Sequence, residues 1–146
     1  MRAAILIALV GCSSYAMPRV DPVAARATSP STHARIGCFD FDIARTQRVP
    51  TPTLTYRVTN ACDHEATVDF ARIYAVAVTP DGAWQPLHTM GFQHYQWSYR
   101  IDPQDSRVAE RTFRGGGLSA DTEICVDLGT ADEALAYAPR WTCVHY

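Results

Sequence analysis

The sequence predicts an all-β domain, an antiparallel β-sandwich, and three observations carry that prediction. Apolar and polar residues alternate with a period of two in several short segments, which is typical of half-buried strands. Turn residues separate these segments, as in Pro80-Asp81-Gly82, where Pro presets φ and Gly accepts a positive φ. Long amphipathic helical periods are absent, and Ala131–Ala138 has at most the pattern of one short helical turn in a loop. Seven or eight short strands from Ile36 onward therefore predict a sandwich.

Apolar residues at alternate positions identify the predicted strands. The sets that share a face are Phe39, Phe41 and Ile43; Leu54, Tyr56 and Val58; Val68 and Phe70; Tyr95, Trp97, Tyr99 and Ile101; and Ile124, Val126 and Leu128. Residues 73–78 are apolar on both faces, which predicts a central strand. Residues 84–88 are expected to return beside it after the turn at 80–82, and residues 141–146 form the closing strand.

The first residues have the layout of an export signal. Arg2 precedes an apolar run, Ala3–Val10, that is far too short to span a membrane as a helix. Leu9-Val10-Gly11-Cys12 resembles the lipobox of bacterial lipoprotein precursors, with an aliphatic residue, a small residue and then the cysteine. The resemblance implies a signal peptide over residues 1–11, cleavage before Cys12, and acylation of the Cys12 thiol and the new amino terminus. The alternatives are a cysteine that follows an ordinary signal peptide by chance and a buried N-terminal strand.

The same resemblance predicts a location for the chain. Three acyl chains would hold it on a bilayer essentially permanently, since each buried CH₂ contributes about 0.8 kcal/mol. Ser13, directly after the lipidated cysteine, implies the outer membrane of a bacterial cell envelope, on its periplasmic side or at its surface. Residues 12–35 contain Pro, Ser and Thr without a sustained period, which indicates a flexible tether. The β-sandwich domain is then predicted over residues 36–146.

Two segments of this domain resemble secreted bacterial immunoglobulin-like domains. LTYRVTNACDHEATVDF is similar to their strand, polar turn and Val-rich strand, and YRIDPQDSRVAERTF is similar to their Leu-x-Pro-Gly-x-Ser lead into a later strand. Asp105 is taken to replace the Gly of that lead. The resemblance implies an immunoglobulin-like sandwich. It implies no activity, because this fold carries many functions.

Four cysteines remain after Cys12, and an even number in an exported domain indicates two disulfides. Three pairings are possible. Antiparallel pairing of residues 36–43 with 53–60 would bring the first two cysteines together, and pairing of 122–128 with 140–146 would place the last two opposite each other. Register therefore favours Cys38–Cys62 and Cys125–Cys143. A zinc site is disfavoured because the usual C-x₂₋₄-C spacing is missing.

Tyr95, Trp97 and Tyr99 are the candidate ligand-binding residues, because they recur with a period of two. An open row of aromatic rings could stack on sugar rings or form a protein interface. A buried row would instead be the core face of a strand. Exposure of the rings is what separates the two interpretations.

Other polar groups carry weaker signals. His88 and His94 have no acidic partner at a recognisable spacing. Asp40 and Asp42 share a strand face and could bind calcium with loop oxygens, but we favour the interpretation that they form a solvated strand face. The Arg114–Gly117 segment lacks the strand–helix frame and the Lys of a phosphate loop.

The composition also narrows the function. The formal net charge is −2 and no basic run reaches four residues, so nucleic acid is not an expected partner. No metal-ligand cluster or nucleophile–base pair stands at a recognisable spacing, so we expect no enzyme activity, metal or cofactor. The leading prediction is a lipid-anchored envelope protein with a binding or scaffolding domain, whose partner is another envelope protein or a glycan. The alternative is a carbohydrate-binding accessory module that uses the aromatic row.

Overall fold

The computed structural model describes residues 30–47, 51–90, 97–115, 118–119 and 121–145. This part of the chain is all-β, with eleven short strands, one 3₁₀ turn at Phe70–Arg72 and no α-helix. The strands are β1 (Ser31–Ile36), β2 (Phe39–Gln47), β3 (Thr53–Asn60), β4 (Ala66–Asp69), β5 (Tyr74–Val78), β6 (Trp84–Pro86), β7 (His88–Thr89), β8 (Ser98–Ile101), β9 (Ser106–Arg114), β10 (Glu123–Asp127) and β11 (Trp141–Val144).

The strands form two main sheets and one small one. The first main sheet has five strands in the order β1-β2-β3-β9-β7, and the second has four in the order β11-β10-β5-β6. Strands β4 and β8 form a separate two-stranded sheet. All these pairings are antiparallel, so the architecture is the predicted antiparallel β-sandwich. Its immunoglobulin-like character stays a prediction.

The core lies between the two main sheets because alternate residues of each strand point inward. The five-stranded sheet contributes the buried rings of Phe39, Phe41 and Tyr56, and the four-stranded sheet contributes Ile124 and Val126 to the same cluster. This is the alternation that the sequence predicts for β2, β3 and β10. Burial of such residues is the main stabilising contribution to the fold.

The outer face of the four-stranded sheet carries a second, smaller cluster. Val76 and Val78 of β5 pack there with Cys125 and Cys143, and Trp84 and Trp141 pack against them at the edges. The disulfide therefore faces away from the main core, as expected from its alternation with Ile124 and Val126.

The structured domain begins earlier than the predicted boundary at residue 36. Residues 31–35, assigned to the tether, form most of strand β1, which pairs with β2 from Ser31↔Ala44 to Ile36↔Phe39. The carbonyl of Pro30 also accepts a hydrogen bond from the backbone N–H of Arg45, at 2.8 Å. As an edge strand, β1 buries little side-chain surface, so its sequence reads as polar.

The segment 84–88 is not the single returning strand that the sequence predicts. Trp84–Pro86 pairs with β5 in the four-stranded sheet, whereas His88–Thr89 pairs with β9 in the five-stranded sheet. Leu87, between them, donates its backbone N–H to the carbonyl of Ala75 at 2.9 Å and is buried. The chain changes sheets at this residue.

Residues 131–138 form turns and no helical turn, because two buried carboxylates hold the loop. Asp127 accepts hydrogen bonds from the backbone N–H groups of Gly129 and Arg140 and from the Tyr137 hydroxyl, at 2.8–2.9 Å. Asp132 accepts the backbone N–H of Ala134 at 2.9 Å and that of Cys38 at 3.2 Å. These contacts tie the loop to the four-stranded sheet and to the β1–β2 turn.

The predicted signal peptide, Cys12 and the tether up to residue 29 lie outside the described residues. Among the residues that are described, no helix is long and apolar enough to cross a membrane.

Candidate functional site

The aromatic row is packed where it is described. Trp97 and Tyr99 are half-buried and pack against the main core, and the Tyr99 ring meets that of Phe70 edge-on at 5.7 Å between centroids. Ile101, two residues further on, is fully buried. Tyr95 lies outside the described residues. Trp97 and Tyr99 thus occupy the core face of β8 and its lead-in, which does not favour a flat, open sugar-stacking row.

A buried arginine lies against the Trp97 ring. The Arg111 side chain on β9 is only 7% exposed. Its guanidinium donates to the carbonyl oxygens of Phe70 and Ile73 and to the hydroxyl of Thr89. The guanidinium carbon lies 5.1 Å from the centroid of the Trp97 ring, a distance at which a cation is attracted to the ring face.

The charge of Arg111 has no carboxylate in direct contact among the described residues. Burial lowers the pKa of the Arg111 guanidinium from its ordinary value, while Tyr56 and Asp69 act in the opposite sense. Two carbonyl oxygens, a hydroxyl and aromatic ring faces therefore take the place of the water that would solvate the Arg111 guanidinium at the surface. The sequence missed this centre because an arginine on a strand reads as a surface residue.

Tyr56 adds a second buried polar group next to Arg111. Its ring is fully buried, and its hydroxyl has no hydrogen-bond partner in the described structure. Burial raises the pKa of the Tyr56 hydroxyl far above its ordinary value, so the group stays neutral. Both residues contact the Phe70–Ile73 segment: Arg111 donates to the carbonyls of Phe70 and Ile73, and the Tyr56 ring meets the Phe70 ring edge-on at 5.7 Å between centroids.

A polar groove of about 580 Å³ opens beside the small sheet. Its lining comes from β4, β8, the start of β9 and the loop after β10, and consists of Thr67, Ser98, Tyr99, Arg100, Arg107 and Glu133. The closest acid to Arg100 is Glu65, at 3.9 Å, and no described residue forms an ion pair with Arg107. Two guanidinium groups and one carboxylate give this groove a chemistry that suits a polar, anionic ligand.

The four cysteines of the domain are paired in the way that strand register favours. Cys38 is bonded to Cys62 and Cys125 to Cys143, and in the second pair the two residues are direct register partners on β10 and β11. Two groups of potential metal ligands include these cysteines, one with His64 and one with Glu123. In each group the two sulfurs are bonded to each other, which removes them as thiolate ligands.

The surroundings of the Cys38–Cys62 disulfide differ from those of its counterpart. Both of its residues are half-buried, and Nε2 of His64 lies 3.9 Å from the Cys38 sulfur. Nδ1 of the same ring is 3.0 Å from the Asp63 carboxylate. Asn60, fully buried, holds this turn by accepting the Cys62 N–H and donating to the carbonyls of His64 and Ile101, at 2.8–2.9 Å.

The remaining predicted groups are on the surface or outside the described residues. Asp40 and Asp42 share the outer face of β2 with His33, whose Nδ1 lies 2.9 Å from Asp42 and whose Nε2 lies 3.8 Å from Asp40. His88 is exposed on β7, opposite Arg114 in register. His94 lies outside the described residues.

Comparison of the chain with protein-family models, with curated proteins and with solved structures finds no match.

Proposed function

We propose that this chain is a lipid-anchored protein of a bacterial cell envelope whose β-sandwich is a non-enzymatic binding or scaffolding module. The observation that carries the proposal is the pair of disulfides in a domain that follows Leu9-Val10-Gly11-Cys12. Disulfides form and persist in oxidising compartments. An export signal with a lipidation site would deliver the domain to such a compartment and keep it on a membrane.

The buried disulfide strengthens the link between export and folding. Cys125 is fully buried and Cys143 is 6% exposed, beneath Trp84 and Trp141. The Cys125–Cys143 bond closes a loop of 18 residues and is expected to stabilise the fold by about 3 kcal/mol. A chain retained in a reducing compartment would lose that contribution.

The groove between the small sheet and β9 is the proposed binding surface. Its two arginines, Arg100 and Arg107, are exposed and offer guanidinium donors that match carboxylate or phosphate oxygens. The core packing of Trp97 and Tyr99 gives no support to the alternative carbohydrate module with an aromatic row. A glycan remains an acceptable partner only through acidic groups that the arginines can contact.

The anchor is tested by expressing the full chain in a Gram-negative bacterium with an alkyne-tagged fatty acid. We expect label on the membrane-bound protein, and an intact mass that corresponds to a chain beginning at Cys12 with acyl groups. Cys12→Ser should abolish the label, whereas the neighbouring control Ser14→Ala should keep it. A soluble, unlabelled product cleaved near Ala16 would refute the lipid anchor.

The groove is tested by NMR titration of the full chain carrying Cys12→Ser with glucuronate, glucose and inorganic phosphate at constant ionic strength. We expect saturable shifts of the Thr67, Ser98 and Tyr99 amides with an anionic probe and none with glucose. Arg107→Gln should abolish these shifts, whereas Arg114→Gln, an exposed control on the same strand, should not. Shifts that survive Arg107→Gln, or equal shifts with glucose, would refute the groove as an anion site.

A further inference from the structure

The two disulfides of this domain have opposite environments. Cys125–Cys143 lies under two tryptophans and is closed to solvent. Cys38–Cys62 is half-buried at the end of the sandwich, in contact with the exposed turn 62–65. An external thiol can reach the Cys38–Cys62 bond while the domain stays folded. It can reach the Cys125–Cys143 bond only after the domain opens.

A histidine and a carboxylate line up behind the accessible bond. The Asp63 carboxylate contacts Nδ1 of His64 at 3.0 Å, and Nε2 on the other side of the ring faces the Cys38 sulfur at 3.9 Å. Asp63 thereby orients the ring toward the Cys38 sulfur. The pKa of the Asp63 carboxyl lies below its ordinary value, chiefly because of its hydrogen bond with His64, which agrees with this arrangement.

We propose that Cys38–Cys62 is an exchange-reactive disulfide that accepts an external thiol at Cys62 while His64 stabilises the Cys38 thiolate that leaves. This site is independent of the lipid anchor and of the groove. A disulfide that serves only to hold the fold would need no imidazole beside one of its sulfurs.

The proposed step balances as a simple exchange. The external thiolate attacks the Cys62 sulfur and forms a new sulfur–sulfur bond, while the Cys38–Cys62 bond breaks and its electron pair goes to Cys38. The imidazolium of His64 stabilises that thiolate or gives it a proton. Attack by the Cys38 thiolate on the mixed disulfide reverses the step, and a second external thiol completes a two-electron reduction.

An imidazole and a carboxylate both lie close to Cys38. The His64 imidazole lies beside the Cys38 sulfur. A carboxylate oxygen of Asp132 lies 3.2 Å from the backbone nitrogen of Cys38. The Asp132 carboxylate also accepts a hydrogen bond from the N–H of Ala134, at 2.9 Å, so both of these contacts are with backbone groups. Asp63 and Glu65 are exposed in the adjacent turn, and Arg100 lies 3.9 Å from Glu65. A ring nitrogen of His64 lies 3.9 Å from the Cys38 sulfur and within 4.8 Å of the Cys62 sulfur, and the proposal assigns the leaving role to the sulfur in contact with the imidazole, that of Cys38.

The first test measures the reduction rate of each disulfide in the folded full chain carrying Cys12→Ser, which removes the fifth thiol. Samples with glutathione are alkylated at intervals and analysed by peptide mass spectrometry. We expect Cys38–Cys62 to be reduced about tenfold faster or more than Cys125–Cys143, because only the former is accessible in the native state. Equal rates would refute the proposal.

The second test locates the mixed disulfide. Acid quenching after a short reaction should trap glutathione on Cys62 with Cys38 free, because the sulfur beside His64 is the better leaving group. Glutathione predominantly on Cys38, or equally on both residues, would overturn the assignment. This readout does not depend on how stable any variant is.

The third test separates His64 from a merely structural role. His64→Gln should slow reduction of Cys38–Cys62 about threefold or more and leave the rate of Cys125–Cys143 unchanged. The share of glutathione trapped on Cys62 should also fall in His64→Gln, toward an equal division between Cys62 and Cys38, because the variant no longer favours one leaving sulfur. His33→Gln removes another exposed histidine with an aspartate neighbour and should behave as wild type. An unchanged rate and an unchanged position of the trapped glutathione in His64→Gln would refute the proposal.

Discussion

Gly37 lies directly against the carboxylate of Asp132, so close that a Cβ atom on Gly37 would be 2.2 Å from Oδ2. Gly37 has a φ of 53°, which glycine adopts readily and other residues rarely do. This contact lets the Asp132 side chain reach the N–H of Cys38 and so joins the β1–β2 turn to a loop 94 residues away. Gly37 is thus required both by its backbone angle and by the neighbouring carboxylate.

Gly37→Ala is expected to destabilise the domain by about 3 kcal/mol or more, because backbone strain adds to the clash with Asp132. Gly82 is the matched control, since it also has a positive φ, of 84°, but nothing lies within 4 Å of its Cβ position. Gly82→Ala should cost only about 1 kcal/mol from strain. Urea unfolding of both variants gives the difference, and equal losses would show that the clash is relieved by movement of Asp132.

Arg111→Ala is expected to cost about 3 kcal/mol or more, because it removes the guanidinium donor from the buried carbonyls of Phe70 and Ile73 and opens a cavity. Arg111→Met fills most of that volume and removes the buried charge, so it should be less destabilising than Arg111→Ala. Arg114→Met, at an exposed position of the same strand, should change stability by less than about 0.5 kcal/mol. Equal losses in the two Arg111 variants would show that the hydrogen bonds outweigh packing.

Tyr56→Phe is expected to stabilise the domain by about 1 kcal/mol, because the variant no longer buries a hydroxyl without a hydrogen-bond partner. Tyr137→Phe is the contrasting change, since the Tyr137 hydroxyl donates to Asp127 at 2.9 Å. That change should be neutral or destabilising. Thermal unfolding of both variants tests the pair, and a loss of stability in Tyr56→Phe would contradict the expected result.

The sequence predicts best the parts of the fold where one face of a strand is buried. The alternation in β2 and β3 identifies their inward residues. The antiparallel register of β2 with β3 brings Cys38 to Cys62, and that of β10 with β11 brings Cys125 to Cys143. Strand β1 is not predicted because it lies at the edge of its sheet. Most of its residues alternate between exposed and half-buried positions, so its sequence shows no apolar period.

The candidate sites are harder to predict because they depend on contacts between distant segments. The groove joins Thr67, Arg107 and Glu133, which no local spacing relates. The His64 contact with Cys38 spans 26 residues and arises because the β2–β3 register, which pairs Phe39 with Asn60, brings the two turns together. The aromatic period at Trp97 and Tyr99 is present in the sequence, but only the packing shows that these rings face the core.

Gln104→Gly is expected to stabilise the domain by about 0.5–1 kcal/mol. Gln104 has a φ of 62° in the turn in which the N–H of Asp105 donates to the carbonyl of Asp102. The residue that takes the conformation of glycine is therefore Gln104 and not Asp105, which corrects the alignment with the Leu-x-Pro-Gly-x-Ser lead. Relief of strain should exceed the added chain entropy of glycine. Gln85→Gly, in strand β6, should instead destabilise, and a destabilising Gln104→Gly would show that the turn carries no strain.

A chain that starts at Pro30 is expected to unfold cooperatively and to be more stable than one that starts at Arg35. The longer chain keeps strand β1 and the hydrogen bond between the Arg45 N–H and the Pro30 carbonyl. It also keeps the contact between the hydroxyls of Thr32 and Thr142, at 3.3 Å, which joins the edges of the two main sheets. Removing residues 30–34 uncovers the edge of β2 and should lower the free energy of unfolding by about 2 kcal/mol. Urea unfolding of both chains, refolded under oxidising conditions with intact disulfides, measures this difference. Equal stability would show that β1 contributes nothing and that the domain begins at the boundary predicted from the sequence.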